Sequence, residues 1–337
     1  FGDLDGDGFA DAVFPRRGSN VQWVRSDGLG GLESSTLFTE QDLLRSVAAD
    51  LTPGEDPTAE SLTILSLQLA DMDGDGRDDI VMRLGLLEDG VERRIGGVLY
   101  APASFPIWST VIADDARAST IVADLDGDGL PEWAHLGLDA TVLTSSGATW
   151  PLQEAFSEVQ YPEALTFDTP EGPLLSVFVN YAFGITEIQT YRPDGDGLTL
   201  VSDEQNVFAH DVQGNRGPAR ASTEALLQVG EELLRFDGTE YTVALPAQDG
   251  SFVSVLATGD VTGDGRLDII THRTVDPTVL YASREDGTLE VMPFDVPDWQ
   301  PGWIGVADAD ADGLGDLWVI EYLEDTVVLE LWGNVSE

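Results

Sequence analysis

The sequence predicts an all-β chain, a seven-bladed β-propeller of four-stranded antiparallel blades that spans 1–337 as a single domain. Three observations predict it. An Asp-rich nine-residue pattern recurs along the chain, its spacing settles at roughly 45–50 residues, and short β-rich runs punctuated by Gly, Asp and Pro fill the intervals. Periods of that length mark solenoids and bladed arrays, and four short antiparallel strands make one blade.

The pattern Asp-x-Asp/Thr-x-Asp-Gly-x-x-Asp/Glu is complete five times, beginning at Asp3, Asp71, Asp124, Asp260 and Asp308. The start-to-start spacings are 68, 53, 136 and 48 residues, so the long gap has room for two worn units. They are placed at Asp168, in Phe167-Asp168-Thr169-Pro170-Glu171-Gly172, and at Asp211, in Asp211-Val212-Gln213-Gly214-Asn215; each follows an apolar run. Within a unit, an apolar stretch such as Thr120 to Ala123 precedes the loop, and a second such as Ile80-Val81-Met82 or Leu317-Trp318-Val319-Ile320 follows it. Two further β-rich runs complete the set, as in Val98-Leu99-Tyr100 and Ile107 to Ile112. Alternation and β-branched residues make these strands.

Two irregularities interrupt the array. The first interval is long by the segment 39–60, where Thr39 is expected to cap a short helix with Asp42 completing a capping box. This is read as a tolerated insertion, with a ligand-contacting excursion as the alternative. At the ends, Phe1 opens at a loop and the last unit stops after Val327 to Trp332, so both terminal blades are expected to lack a strand. An upstream segment or a neighbouring chain is expected to supply it, because open strand edges are avoided. No signal-like segment precedes the first loop, which reads as a mature or trimmed product.

Each loop gathers hard oxygen ligands. Side chains at positions one, three and five are expected to converge, the carbonyl of position seven to add an oxygen, and the acid at position nine to close the shell. Calcium takes six to eight oxygens in flexible geometry, whereas magnesium demands a tight octahedron and keeps its waters. The expected metal set is Asp3, Asp5, Asp7, Phe9 and Asp11; Asp71, Asp73, Asp75, Arg77 and Asp79; Asp124, Asp126, Asp128, Leu130 and Glu132; Asp260, Thr262, Asp264, Arg266 and Asp268; and Asp308, Asp310, Asp312, Leu314 and Asp316. Phe9, Arg77, Leu130, Arg266 and Leu314 enter through their carbonyls, giving about five calcium ions. The last loop carries Ala311 where the others have Gly. The units at Asp168 and Asp211 have Ser176 and Ala219 in place of the closing acid and are expected to hold no ion. Asp194-Gly195-Asp196-Gly197, flanked by Arg192 and Leu200, reads as a hairpin turn. An EF-hand is excluded: its position-twelve acid is replaced by Phe14, Met82, His135, Thr271 and Val319, and β-rich sequence follows each loop.

Composition narrows the partners. The chain has 62 acidic and 16 basic residues, no lysine, and a net charge of −46, a field that repels nucleic acid and anionic membranes. Five calcium ions carry ten charges and would leave −36, so a solvated acidic surface remains, as in a secreted protein from a saline or calcium-rich setting. With no cysteine, disulfide, thiolate-metal and cysteine-nucleophile chemistry are excluded. No apolar run reaches the roughly 18–20 residues of a membrane helix.

The combination resembles the FG-GAP or VCBS-type repeat, as in the calcium-bearing seven-bladed propeller of integrin α subunits, with Phe1-Gly2-Asp3-Leu4-Asp5-Gly6-Asp7-Gly8-Phe9-Ala10-Asp11 the nearest match. The resemblance implies that each cation loop joins the first and second strands of a blade on one face. It implies that partners dock on the opposite face, on connections that include 39–60, 84–92 and 181–185. The expected role is therefore an extracellular, secreted or cell-surface binding and adhesion module for a protein or glycan, its calcium structural.

The chain is expected not to be an enzyme. His135, His210 and His272 are far apart in sequence, His135 and His272 are expected at equivalent strand positions, and neither a nucleophile motif nor a phosphate-binding loop is present. A calcium-dependent polysaccharide lyase is the enzymatic alternative, and it needs a base near the sugar proton. Two non-enzymatic roles compete with adhesion: a lectin using tryptophans such as Trp23, Trp108, Trp150, Trp299 and Trp303, and a surface-assembly subunit that exchanges strands with a neighbouring chain.

Overall fold

The computed structural model describes residues 1–16, 20–51, 61–88, 91–100, 112–113, 119–136, 141–143, 149–152, 160–169, 172–181, 186–194, 197–207, 211–214, 225–229, 232–236, 241–245, 253–273, 278–292, 303–323 and 326–332. Apart from one helix, their regular structure is antiparallel β-sheet, in which consecutive strands lie side by side.

The first sheet has three strands, β1 (Ala12–Arg16), β2 (Asn20–Ser26) and β3 (Leu32–Phe38). Helix α1 (Glu40–Leu51) follows, and the next sheet is β4 (Ser61–Ala70), β5 (Asp79–Glu88), β6 (Val91–Leu99) and β7 (Ile112–Ala113). The third holds β8 (Ser119–Ala123), β9 (Glu132–Leu136), β10 (Thr141–Leu143) and β11 (Thr149–Pro151). Then come β12 (Gln160–Thr169), β13 (Gly172–Tyr181), β14 (Thr186–Pro193) and β15 (Leu198–Val207). The fifth sheet is β16 (Asp211–Gly214), β17 (Ala225–Val229), β18 (Glu232–Phe236) and β19 (Tyr241–Leu245). The sixth is β20 (Val253–Gly259), β21 (Asp268–Arg273), β22 (Val279–Ser283) and β23 (Leu289–Met292). The last has three strands, β24 (Trp303–Ala307), β25 (Asp316–Leu323) and β26 (Thr326–Trp332).

The chain divides into two compact units, one of Phe1–Ala164, Pro193–Thr199 and Gly217–Arg220, the other of Leu165–Arg192, Leu200–Arg216 and Ala221–Glu337. In the first, the β4–β7 sheet packs on the β8–β11 sheet through Ala70, Val81, Val98, Val122 and the fully buried Trp133. Gly96 in β6 makes room for that indole, since a Cβ there would stand 2.6 Å from Trp133 Cζ2. In the second unit, Ile270 and Leu280 pack on Ile304, Leu317 and Val319 of the following sheet. Burying large apolar side chains between neighbouring sheets supplies each core.

The insertion is a helix with the expected cap. Thr39 N–H donates to Asp42 Oδ2 at 3.0 Å, and Asp42 N–H donates to Thr39 Oγ1 at 3.2 Å, a reciprocal capping box. The Thr39 bonds hold the Asp42 carboxyl below its ordinary range. Leu43 and Val47, one turn apart, enter the core with Leu62, Leu84 and Ile95, so α1 is a packed element of its unit. No helix among the described residues is long and apolar enough to cross a membrane.

The structure shifts two expected features. Asp211 begins strand β16, so the connection between first and second strands lies after Gly214, outside the described residues. Asp168 lies in β12, with only residues 170–171 before β13; this turn is far shorter than a cation loop. The turn at Asp194 is a hairpin between β14 and β15, closed by Asp194 N–H to the Gly197 carbonyl at 2.9 Å. His135 and His272 stand three and four residues into strands that both begin at a closing acid, one register position apart rather than equivalent; His210 lies outside the described residues.

Candidate metal sites in the Asp-rich loops

Four of the five complete loops join the first and second strands of a sheet: 71–78 between β4 and β5, 124–131 between β8 and β9, 260–267 between β20 and β21, and 308–315 between β24 and β25. The fifth precedes β1, where Gly2 and Asp11 exchange backbone hydrogen bonds as paired strands do. Every closing acid therefore stands at the start of the strand that follows its loop, and Asp11, Asp79, Glu132, Asp268 and Asp316 are all buried.

One hydrogen-bond pattern recurs in these loops. The position-one carboxylate accepts from the backbone around positions four to six: in the first loop Asp3 takes Gly6 N–H at 2.7 Å, Asp7 N–H at 3.0 Å and Gly8 N–H at 2.8 Å. Asp71, Asp124, Asp260 and Asp308 repeat it through Gly76, Gly129, Gly265 and Gly313. Position three accepts from position five, as in Asp73 and Asp75 at 3.2 Å. Position nine reaches back to the position-two N–H: Leu4 to Asp11, Met72 to Asp79, Leu125 to Glu132, Val261 to Asp268 and Ala309 to Asp316.

These bonds draw the carboxylates together. One oxygen from each of Asp3, Asp5 and Asp11 lies within 4.8 Å of the others, and Asp71, Asp73 and Asp79, Asp124, Asp126 and Glu132, and Asp308, Asp310 and Asp316 do the same. The clusters thus comprise positions one, three and nine. Asp7, Asp75, Asp128, Asp264 and Asp312, at position five, instead accept the N–H of Phe9, Arg77, Leu130, Arg266 and Leu314, which fixes the position-seven peptide. In the 260 loop, the Thr262 hydroxyl replaces the third carboxylate. The hydroxyl lies against the Asp268 carboxylate and puts a neutral oxygen donor where the other loops place a carboxylate.

Electrostatics agree with that reading. Burial pushes the Asp11 carboxyl up to about 6, against the pull of hydrogen bonds from Ser26 and Leu4. Burial likewise raises Asp268, and burial with the neighbouring Asp7 charge raises Asp5. Asp78, next to the closing acid of the second loop, is pushed up to about 6 by burial, although it accepts Asp3 N–H at 2.7 Å. Arg25 is the counter-charge at the first loop; its Nε meets Asp5 Oδ2 at 2.7 Å, and its guanidinium stands 5.2 Å from the Trp23 ring centroid. The all-oxygen donor sets, crowded with like charge, fit calcium better than magnesium. The residues that would hold it are the position-one, -three and -nine side chains, and the ion would supply the charge that lets them ionise together.

A pH dependence follows. In the metal-free chain Asp11 and Asp78 bind protons more tightly folded than unfolded, so between about pH 4 and 6 the native state holds the extra protons and stability falls as pH rises through that window. Calorimetry of chelator-stripped protein is expected to give a lower unfolding temperature at pH 7 than at pH 5. Saturating calcium, which favours the ionised form, is expected to reverse the order.

The glycine requirement is also visible. Position four has positive φ in every complete loop, near 74–78° at Gly6, Gly74, Gly127 and Gly263 and 58° at Ala311. A side chain in the left-handed region costs roughly 1–2 kcal/mol, partly offset by the backbone entropy that glycine loses. Ala311→Gly is expected to raise stability by about 0.5–1 kcal/mol in urea denaturation.

The sequence reading missed Asp78, Arg25 and the serines that hold the closing acids from the neighbouring strand, Ser26 N–H to Asp11 at 3.1 Å and Ser283 N–H to Asp268 at 2.9 Å. The doubled acid Asp78-Asp79 was a signal for the first; the others depend on pairing between strands. The tryptophans divide as well. Trp133, Trp150 and Trp318 are buried, Trp332 is exposed, and Trp108 and Trp299 lie outside the described residues.

No protein-family model matches the chain, and no curated protein matches it. Its structure is similar to a post-proline cleaving enzyme from Rickettsia typhi, with TM-score 0.59 and 9% identity, over 99% of this chain and 51% of the other. It is also similar to a chain of the mitotic checkpoint complex, with TM-score 0.56 and 10% identity, over 100% of this chain and 89% of the other. This chain thus spans about half the length of the Rickettsia enzyme. That likeness overturns the expectation of a non-enzyme: the fold occurs within a chain that cleaves after proline, so scattered histidines and a missing nucleophile motif do not exclude catalysis. Both neighbours are β-propeller-type folds, and this chain has a β-propeller-type fold.

Proposed function

We propose that the chain is a calcium-loaded, seven-bladed propeller of the FG-GAP or VCBS repeat type, an extracellular module that binds a protein or glycan partner. The observation that supports it is the single hydrogen-bond pattern shared by five loops, four of which gather three carboxylates within 4.8 Å. Calcium braces the loops between first and second strands. The binding surface lies at the other end of the strands. In the second sheet the loop ends where β5 begins, at Asp79, and the β5–β6 connection follows Glu88 ten residues later, about 30 Å away at strand rise. Leu87 stands exposed beside that connection.

The test is a binding screen of calcium-loaded chain against glycan arrays and extracellular proteins, repeated with chelator. Leu87→Asp is expected to weaken ligand capture at unchanged calcium content, whereas Asp73→Asn is expected to lower calcium content. Ligand capture that survives Leu87→Asp but fails on loop-face substitutions in calcium would reverse the assignment of faces. Absence of any glycan signal in calcium leaves the protein-ligand form.

A further inference from the structure

Consecutive loops touch each other in a regular way. The position-eight N–H of one loop donates to the position-one carbonyl of the loop before it: Asp78 to Asp3 at 2.8 Å in the first unit, and Gly315 to Asp260 at 2.8 Å in the second. The first pair has a second link, Asp3 N–H to the Asp78 carboxylate at 2.7 Å. The position-seven side chain also lies over the position-four glycine of the preceding loop. A Cβ on Gly6 would stand 3.0 Å from Arg77 Cγ, one on Gly74 2.8 Å from Leu130 Cδ2, and one on Gly263 would collide with Leu314 Cδ2.

We propose that calcium binding is cooperative between neighbouring loops, in two pairs, 3–11 with 71–79 and 260–268 with 308–316. This rests on the calcium reading above. In each pair the position-one ligand residue of one loop is bonded through its backbone to the residue just before the closing ligand of the next. An ion that fixes either end thereby orders part of the other site, so the second ion meets a lower ordering cost, and the coupling is reciprocal. The chain itself carries the contrast. The loop at Asp124 has Pro131 at position eight, which has no N–H, so the bond to Asp71 is chemically impossible and the Leu130 contact is left without it. Loops 71–79 and 124–132 are therefore coupled weakly or not at all.

The position-six glycine amides, Gly8 and Gly76 among them, report each loop separately in a calcium titration followed by NMR. Asp73→Asn with Asp75→Asn neutralises the 71 loop at exposed positions, and Asp126→Asn with Asp128→Asn does the same for the 124 loop. The first double variant is expected to raise the Gly8 midpoint by about threefold to tenfold, within the usual range of coupling free energies. The second is expected to leave the Gly76 midpoint within about twofold. An unmoved Gly8 midpoint overturns the coupling, and equal shifts in both arms overturn it too, because they assign the effect to lost charge. Wild-type chain with no calcium-dependent amide shifts overturns the calcium reading itself, a separate outcome.

Discussion

Stripping calcium from the folded chain is expected to lower its unfolding temperature by at least about 15 °C. An ion that binds only the native state stabilises by about 2.7 kcal/mol at a hundredfold excess over its dissociation constant, and five such sites sum to more than ten. Each kcal/mol moves the midpoint of a chain this size by roughly 1.4 °C. The expectation rests on crowded, like-charged loops. Asp3, Asp5 and Asp11 crowd within 4.8 Å, burial already raises Asp11 to about 6, and the chain carries −46 overall. Without a cation these groups repel or bind protons. Calorimetry before and after chelation measures the shift, and magnesium is expected to restore only a small part of it.

Asp268→Ala is expected to cost about 3–5 kcal/mol even without metal, because the closing acid organises backbone as well as any cation. Its carboxylate accepts Val261 N–H and Thr262 N–H at 2.9 Å on one oxygen and Ser283 N–H at 2.9 Å on the other. Asp268 is fully buried, so truncation removes the acceptor of the Thr262 and Ser283 N–H groups, each costing about 1–3 kcal/mol, and leaves Val261 N–H with the Gly259 carbonyl at 3.1 Å. Asp268→Asn keeps one acceptor oxygen and is expected to lose less. Asp264→Ala removes an exposed carboxylate that accepts Arg266 N–H and pairs with Arg266 Nε at 3.8 Å, and is expected to cost under about 1 kcal/mol. Urea denaturation in chelator separates this structural role from metal binding.

The loops were legible because their ligands lie within nine residues: local spacing alone places Asp71, Asp73 and Asp79 together, and the β-rich flanks place them between strands. The Thr39–Asp42 capping box was legible for the same reason. What was not legible lies across strands and loops. Ser26 and Ser283 reach the closing acids from β2 and β22, and Asp78 reaches back to Asp3 across 75 residues. The Asp211 unit was misplaced because an acid followed by Val, Gln and Gly resembles a worn loop, while the backbone pairs those four residues as β16 with β17. The expectation of a non-enzyme failed for a different reason: it rested on motifs absent from the sequence, and a fold shared with part of a post-proline cleaving enzyme does not depend on them.

The central claim is that five loops hold calcium, and counting the metal tests it most directly. Equilibrium dialysis against micromolar calcium, followed by elemental analysis, is expected to give about five ions per chain, falling to about four in Asp71→Asn with Asp73→Asn. Calcium content near zero in folded protein, or a content that those substitutions leave unchanged, would contradict it.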